Sequence, residues 1–424
     1  MLSEDGQSEI ERPIAMQSAG SRGTASFTGS VGVLLALAMF INFLDRGNLA
    51  TAAPLIKEEL NLTNTQFGLL VSAFFWVYVP NQLAAAWLVV TFSAYRALVV
   101  GLIVWSIATI LTGFAGGFVS LLALRILLGI GESASFPATS KLLAQNLPPE
   151  RLGFANALVS AGIILGPAAG TFLGGLLIAH FGWRPLFILF GLASLLWLVP
   201  WLRLEQRPVE ELVENRNASG PTFREILTRR ELWGAAMGHF ASNYTFYTIT
   251  TWLPLYLVKV QGFTIPQMAL VGGLVYAASA LFSLCGGWIA DRWMSAGGSA
   301  NRVRKTFIGA SCVVAIVCML MCASGNTELA VAGLLLSSIG QGLGGFNLYA
   351  IGQTLAGPTG TAKWIGLQNC IGNMSGIVAP IFTGVIVDAT GAYTPAFFVA
   401  AGMSLAALVS WTIVIPRIQR IDWK

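Results

Sequence analysis

Four ionisable residues stand where an apolar chain can least accommodate them. Asp45 and Arg46 interrupt the run Ile41-Asn-Phe-Leu-Asp-Arg-Gly-Asn-Leu49, and Arg125 and Glu132 bracket Arg125-Ile-Leu-Leu-Gly-Ile-Gly-Glu132. A charge at the middle of a hydrocarbon layer costs at least ~2.5–3.5 kcal/mol, so such groups persist by pairing or by facing water and are read first as functional. Two acids and two bases are net neutral. They can also exchange protons, because a carboxylate that loses its cationic partner in a low-dielectric site takes one up. Arg125 and Glu132 are seven residues apart and share one helical face, about two turns from each other. Asp45 and Arg46 are adjacent, about 100° apart around a helix, and can address different partners. The chemistry on offer is anion binding coupled to protons. The alternative is an architectural ion pair; for Arg125, which lies nearer the end of its run, both readings stay open.

The elements that must position these residues are membrane helices. Of 424 residues, 55% are hydrophobic and only 10% are charged, against about a quarter charged in soluble domains. That excludes a soluble enzyme, a secreted disulfide scaffold and a disordered chain. The apolar runs are continuous and about 20 residues long, as spanning helices require, whereas a barrel would show alternating segments of about 10. Twelve spans are expected, near 30–54, 66–90, 96–116, 118–145, 152–179, 183–203, 231–258, 266–291, 305–324, 327–356, 363–387 and 393–416. The longest polar interruption, 204–230, divides them six and six. The expected organisation is a cytoplasmic tail (1–29), a six-helix bundle (30–203), a cytoplasmic linker (204–230), a second six-helix bundle (231–416) and a short cytoplasmic tail (417–424).

Charge sets the orientation. With the N-terminus inside, 19 of the 24 Lys and Arg fall on the cytoplasmic side. Three (Lys57, Arg184, Lys259) fall outside, and Arg46 and Arg125 lie within spans. This positive-inside bias places both termini and the middle loop in the cytoplasm. It also accounts for the net charge of +5 without any nucleic-acid partner. Residues 1–29 lack a basic start followed by an apolar core, so no cleavable signal is expected.

The halves repeat one another. Gly153-x2-Asn156-x10-Pro167 in span 5 matches Gly366-x2-Asn369-x10-Pro380 in span 11, and Trp87 pairs more weakly with Trp288. Parallel six-helix repeats are one transporter architecture, so the expected fold is all-α, with twelve transmembrane helices in two pseudo-symmetric bundles. The charges do not repeat: Phe246 and Tyr247 stand opposite Asp45 and Arg46. The second half offers amide, hydroxyl and aromatic groups instead, among them Tyr247, Trp252, Asn347, Trp364, Gln368, Asn369 and Asn373.

Other features carry less. The five Cys (285, 312, 318, 322, 370) are read as small buried residues. His180 and His239 are isolated and make no metal site. Gly342-Leu-Gly-Gly345 is read as helix packing, and no Gly-x4-Gly-Lys-Ser/Thr phosphate loop occurs. Asn61-Leu-Thr63 is a formal glycosylation triplet of a kind common by chance. No nucleophile–base pair or metal cluster points to an enzyme, and no loop reaches the size of a sensory domain.

At these residues the chain resembles the major facilitator superfamily, and most closely its anion:cation symporter branch of sugar-acid, aromatic-acid and vesicular anion carriers. The resemblance covers about residues 30–416. It rests on Asn42-Phe-Leu-Asp45-Arg46-Gly-Asn48 and on Arg125-x3-Gly129-x-Gly131-Glu132-x3-Phe136-Pro137. The C-terminal half adds Gly366-Leu-Gln-Asn369-x3-Asn373-x2-Gly376-x3-Pro380-x3-Gly384 with Thr390-Gly391-x-Tyr393. The resemblance implies proton sensing by Asp45 and Glu132, substrate-carboxylate binding by Arg46, and pairing of Arg125 with Glu132. It also implies cavity positions for Tyr78, Asn369 and Asn373. Trp364 is expected beside them at the substrate. The superfamily's loop motif, Gly-x3-Asp-Arg, stands as Gly287-Trp-Ile-Ala-Asp291-Arg292 in the second half, which makes Asp291 and Arg292 gating candidates. In the first half Val90 and Thr91 replace the acid and the base. That motif is held to latch the outward-facing state, so a biased inward-facing gate or a substitute contact is expected.

The expected function is proton-coupled symport of a small organic anion, such as a hexonate or hexarate, by a monomer in the bacterial inner membrane. The driving force is the proton gradient, with no cofactor and no metal. In the expected coupling, protonated Asp45 releases Arg46 to the substrate. Exchange, efflux, or a sensor that kept the fold are the alternatives.

Overall fold

A computed structural model describes residues 14–91, 93–146, 149–204 and 221–423. The side chains of the first-half loop motif (Ala86 to Thr91, with Trp87) and of the repeat residues Gly153 and Asn156 lie outside the described residues.

Helix follows helix along the chain. The first half holds α1 (Ile14–Glu59), α2 (Asn64–Thr91), α3 (Ala94–Thr112), α4 (Phe118–Glu132), α5 (Ser135–Asn146), α6 (Pro149–Phe181), α7 (Trp183–Leu196) and α8 (Leu198–Leu202). The second holds α9 (Phe223–Leu227), α10 (Arg230–Lys259), α11 (Ile265–Ser295), α12 (Ala300–Ala323), α13 (Thr327–Asn373), α14 (Ser375–Thr390) and α15 (Thr394–Val409), closed by a π-helical turn at Ser410–Val414. Among the described residues no strand occurs, and ten helices are long and apolar enough to cross a membrane. The other two expected spans fall on α2 and α10, of 28 and 30 residues.

Starts and stops follow local chemistry. Thr264 and Gln267 form a reciprocal capping box on α11, and Ser299 and Asn326 cap α12 and α13, each satisfying a backbone N–H that the helix leaves unpaired. Gly391 ends α14 at φ +70°, the left-handed conformation that glycine adopts without steric cost. Gly357, at φ +67°, breaks α13 into the two expected spans. In the linker, Thr222 caps α9, and its N–H holds the Glu225 carboxyl below the usual carboxylate range.

In lipid, helices associate by close packing rather than by escape from water. Gly162, Gly166 and Gly170, four apart on α6, lie against the carbonyls of Ala36, Phe40 and Leu44, four apart on α1. A Cβ at these glycines would fall 2.5, 2.6 and 2.9 Å from those oxygens. The halves meet through α2 against α14 and α6 against α11: Gly68 backs onto Pro380 and Gly175 onto Ala269. Hydrogen bonds join the halves at the end remote from the chain termini, where α1 gives way to α2 and α14 ends.

One expectation is corrected. Cys312, Cys318 and Cys322 are buried, but Cys285 is exposed and Cys370 intermediate, because an apolar helix face can turn outward to lipid. At the C-terminus the Ile421 N–H donates to Leu355 O at 2.9 Å and Trp423 Nε1 to Ala356 O at 2.7 Å.

Candidate functional site

The site begins with two glycines. A Cβ at Gly129 would sit 2.5 Å from Phe74 O of α2, and one at Gly131 would sit 2.6 Å from Trp105 N of α3. Their lack of side chains seats α4 directly on two neighbours. Glu132 is the last residue of α4, where the span breaks before α5. Ser135 repairs the break by donating to Glu132 O at 2.6 Å.

Glu132 is fully buried, and Arg46 of α1 pairs with it. Arg46 Nη2 and Nε donate to Glu132 Oε2 at 2.9 and 3.1 Å. Asn42, one turn earlier on α1, accepts from Nη2 at 3.1 Å. The rings of Phe43, Tyr78 and Phe74 surround the guanidinium, with centroids at 4.4, 4.7 and 4.9 Å. Its side chain keeps 18% of its surface exposed, and a Cβ on the neighbouring Gly47 would meet nothing within 4 Å. A partly exposed ion pair can trade its carboxylate for an incoming anion.

Two expected contacts differ. Arg125 does not pair with Glu132: it is in none of the ion pairs among the described residues. It is 4% exposed, and its buried Nε has no hydrogen-bond partner. The Phe74 ring lies 5.4 Å from its guanidinium and 4.9 Å from that of Arg46, and Arg46 takes the carboxylate. Nor does Asp45 hold Arg46. The turn between adjacent helical residues sends Asp45 the other way, toward α7, where it accepts from Ser194 Oγ and Asn48 Nδ2, both at 3.1 Å. The carboxylate that pairs with Arg46 is therefore Glu132.

The second half supplies a neutral wall. Tyr247 donates to Asn373 Oδ1 at 2.8 Å, Asn373 Nδ2 donates to Asn369 Oδ1 at 2.9 Å, and Tyr349 donates to the same oxygen at 2.8 Å. Phe75 joins this wall to the first half, its centroid 4.9 Å from Tyr247 and 6.3 Å from Tyr78. Arg46, Tyr78, Asn369 and Asn373 thus belong to one neighbourhood.

Trp364 does not. It is fully buried, donates to Gln368 Oε1 at 3.1 Å, and packs against Trp423 at 6.2 Å. The break at Gly357 turns it into the core with Leu355 and Trp411. Trp252 and Asn347 are also elsewhere, against Phe67 and Arg304. Asp291 and Arg292 are exposed and, among the described residues, in no ion pair; Arg292 lies over Trp288 at 5.9 Å.

Asn42 and Asn48 had a signal in the sequence, since they sit four before Arg46 and three after Asp45, the spacings that meet on a helix. Ser194 had none, because it reaches Asp45 from 149 residues away. Tyr349 was one aromatic among many.

Comparison with known proteins follows the same lines. The sequence profile of the Major Facilitator Superfamily matches residues 35–363. A probable sulfoacetate transporter of Cupriavidus necator is 30% identical, with 89% of this chain and 91% of that protein covered. A probable galactarate/D-glucarate transporter of Bacillus subtilis is 28% identical over 92% of each. The hexuronate transporter of the same organism is 28% identical, over 88% of this chain and 92% of that one. A bacterial homologue of the human lysosomal transporter Spinster, solved inward-facing and unoccupied, superposes with a TM-score of 0.73 at 19% identity, covering 92% of this chain and 95% of that one; at that identity it shows the fold alone.

Proposed function

We propose that this chain, which belongs to the major facilitator superfamily of membrane transporters, is a proton-coupled symporter of a small hydroxylated carboxylate, a hexonate or hexarate above all. The observation that carries this reading is the Arg46–Glu132 pair, a partly exposed cation over a fully buried carboxylate. The relatives support the substrate class, since their names specify sulfoacetate, galactarate or D-glucarate, and hexuronate. Each of these is a compact organic acid, and all but sulfoacetate carry several hydroxyls.

The site's chemistry then runs as follows. Ionised Glu132 holds Arg46, and a substrate carboxylate must displace it. A proton on Glu132 removes the competitor and leaves Arg46 to bind the anion through charge-assisted hydrogen bonds. The Tyr247–Asn373–Asn369–Tyr349 wall offers donors and acceptors to the substrate hydroxyls. Asp45 is the second proton site: its Ser194 bond ties α1 to α7, so its charge state is felt in how those helices pack. The halves rock about this midplane site and release anion and protons at the other face. By the positive-inside rule the end carrying the termini is cytoplasmic. All these groups come from one chain, so a monomer suffices.

The test is uptake by proteoliposomes with an imposed pH gradient, acid outside, over a panel of hexonates, hexarates, hexuronates and sulfonates. Accumulation of one class that collapses with the gradient and is lost in Arg46→Ala is expected. Uptake indifferent to the gradient, or unchanged in Arg46→Ala, would exclude the scheme.

A further inference from the structure

The end of the bundle remote from the termini carries a contact that the substrate chemistry leaves unused. Asp388, near the end of α14, reaches across to the first residues of α2. Its Oδ1 accepts from the Asn64 backbone N–H at 3.0 Å and from Asn64 Nδ2 at 2.7 Å. Its Oδ2 accepts from the Thr65 backbone N–H at 2.7 Å and from Thr65 Oγ1 at 2.6 Å. A side chain of one half thus caps a helix of the other, with a full negative charge on the positive end of that helix's dipole.

The surroundings reinforce the contact. Lys57 of α1 hydrogen-bonds the Asn64 side chain, and Lys259 of α10 pairs with Glu58 of α1 at 2.5 Å. Glycine permits the approach: a Cβ at Gly384 would lie 2.5 Å from Asn64 O, and one at Gly68 would lie 2.3 Å from Pro380 O. At the opposite end the sequence has Val90 and Thr91 where the superfamily's loop motif carries its acid and base.

We infer that Asp388 is the latch of this protein: by capping α2 it holds α2 and α14 together at the outer face and biases the chain toward the state open at the terminal, cytoplasmic face. The acid expected at the cytoplasmic end of α2 is missing, and an acid at the outer end of its partner helix bonds the same pair in the opposite sense. The geometry stands by itself; only its consequence for transport rests on the alternating-access reading above.

Hydrogen–deuterium exchange of the full chain in lipid nanodiscs, without substrate, tests this. In the wild type, peptides over Asn64–Gly68 and Gly384–Gly391 exchange slowly. Asp388→Ala speeds both by about tenfold, the scale of losing hydrogen bonds to a charged group, and slows exchange at the cytoplasmic ends as that face closes. Asp388→Asn keeps the shape and shifts exchange the same way by less. Thr65→Val removes a donor from the other half and speeds Gly384–Gly391. If Asp388→Ala does not fold, the latter two carry the test. Unchanged exchange at both ends in folded variants overturns the latch, as does faster exchange confined to Asn64–Thr65 with no response at the cytoplasmic ends. Failure of every acid in the uptake panel would remove the substrate reading and leave this exchange pattern standing.

Discussion

Arginine at position 46 does what lysine there could not. Its planar fork gives two nitrogens to Glu132 and a bond to Asn42 while three aromatic rings close around it, and a point charge on a flexible stem cannot reproduce that fork. Arg46→Lys is therefore expected to weaken substrate affinity by about tenfold or more, measured by equilibrium binding in detergent. Asp45 makes a different prediction, because it touches Ser194 and Asn48 rather than Arg46. Asp45→Asn should keep substrate exchange between loaded vesicles and abolish accumulation driven by a pH gradient; accumulation at the wild-type level would remove Asp45 from the proton path. Trp364 separates packing from binding. Trp364→Ala should cost about 3–5 kcal/mol of stability, as for large buried aromatics, and leave substrate affinity as it was. A selective loss of affinity at unchanged stability would return Trp364 to the site.

Both halves build their polar centres at a break in a helix. Glu132 ends α4, and Asn373 ends α13. In each case a serine just beyond returns its hydroxyl to a freed carbonyl at 2.6 Å, Ser135 to Glu132 and Ser375 to Gly372. Backbone that leaves the helical ladder inside a membrane is tolerated where it lines a cavity or is re-satisfied by side chains, and here the second condition is met on both sides. Gly129 fixes where the first break falls. Gly129→Val should push α4 off Phe74 O, lower the melting temperature and weaken binding together; a variant that melts and binds like the wild type would show that α4 has slack. Helix existence was legible in the sequence because continuous apolar runs permit little else in lipid. The breaks were not, since no polar stretch of loop length marks Ser133 or Met374.

For the whole molecule, composition, span number, the six-and-six division and the resemblance pointed to one architecture, and the profile match and the fold agree with it. The identity of the charged residues at the centre was equally legible, because a few charges in a long apolar chain stand out. Their pairing was not. Adjacent residues such as Asp45 and Arg46 diverge on a helix, and which acid meets which base depends on where α1 crosses α4. On the proposed scheme, that pairing decides how protons and substrate are linked. If Glu132 holds Arg46 when ionised and frees it when protonated, binding must tighten as pH falls. The direct measurement is substrate affinity against pH, by calorimetry in detergent, for wild type and Glu132→Gln. The wild-type affinity should rise by up to about tenfold per pH unit of acidification across the range in which Glu132 titrates, and the Glu132→Gln affinity should be high and flat. A Glu132→Gln protein that keeps the wild-type pH slope would contradict the competition at the centre of this account.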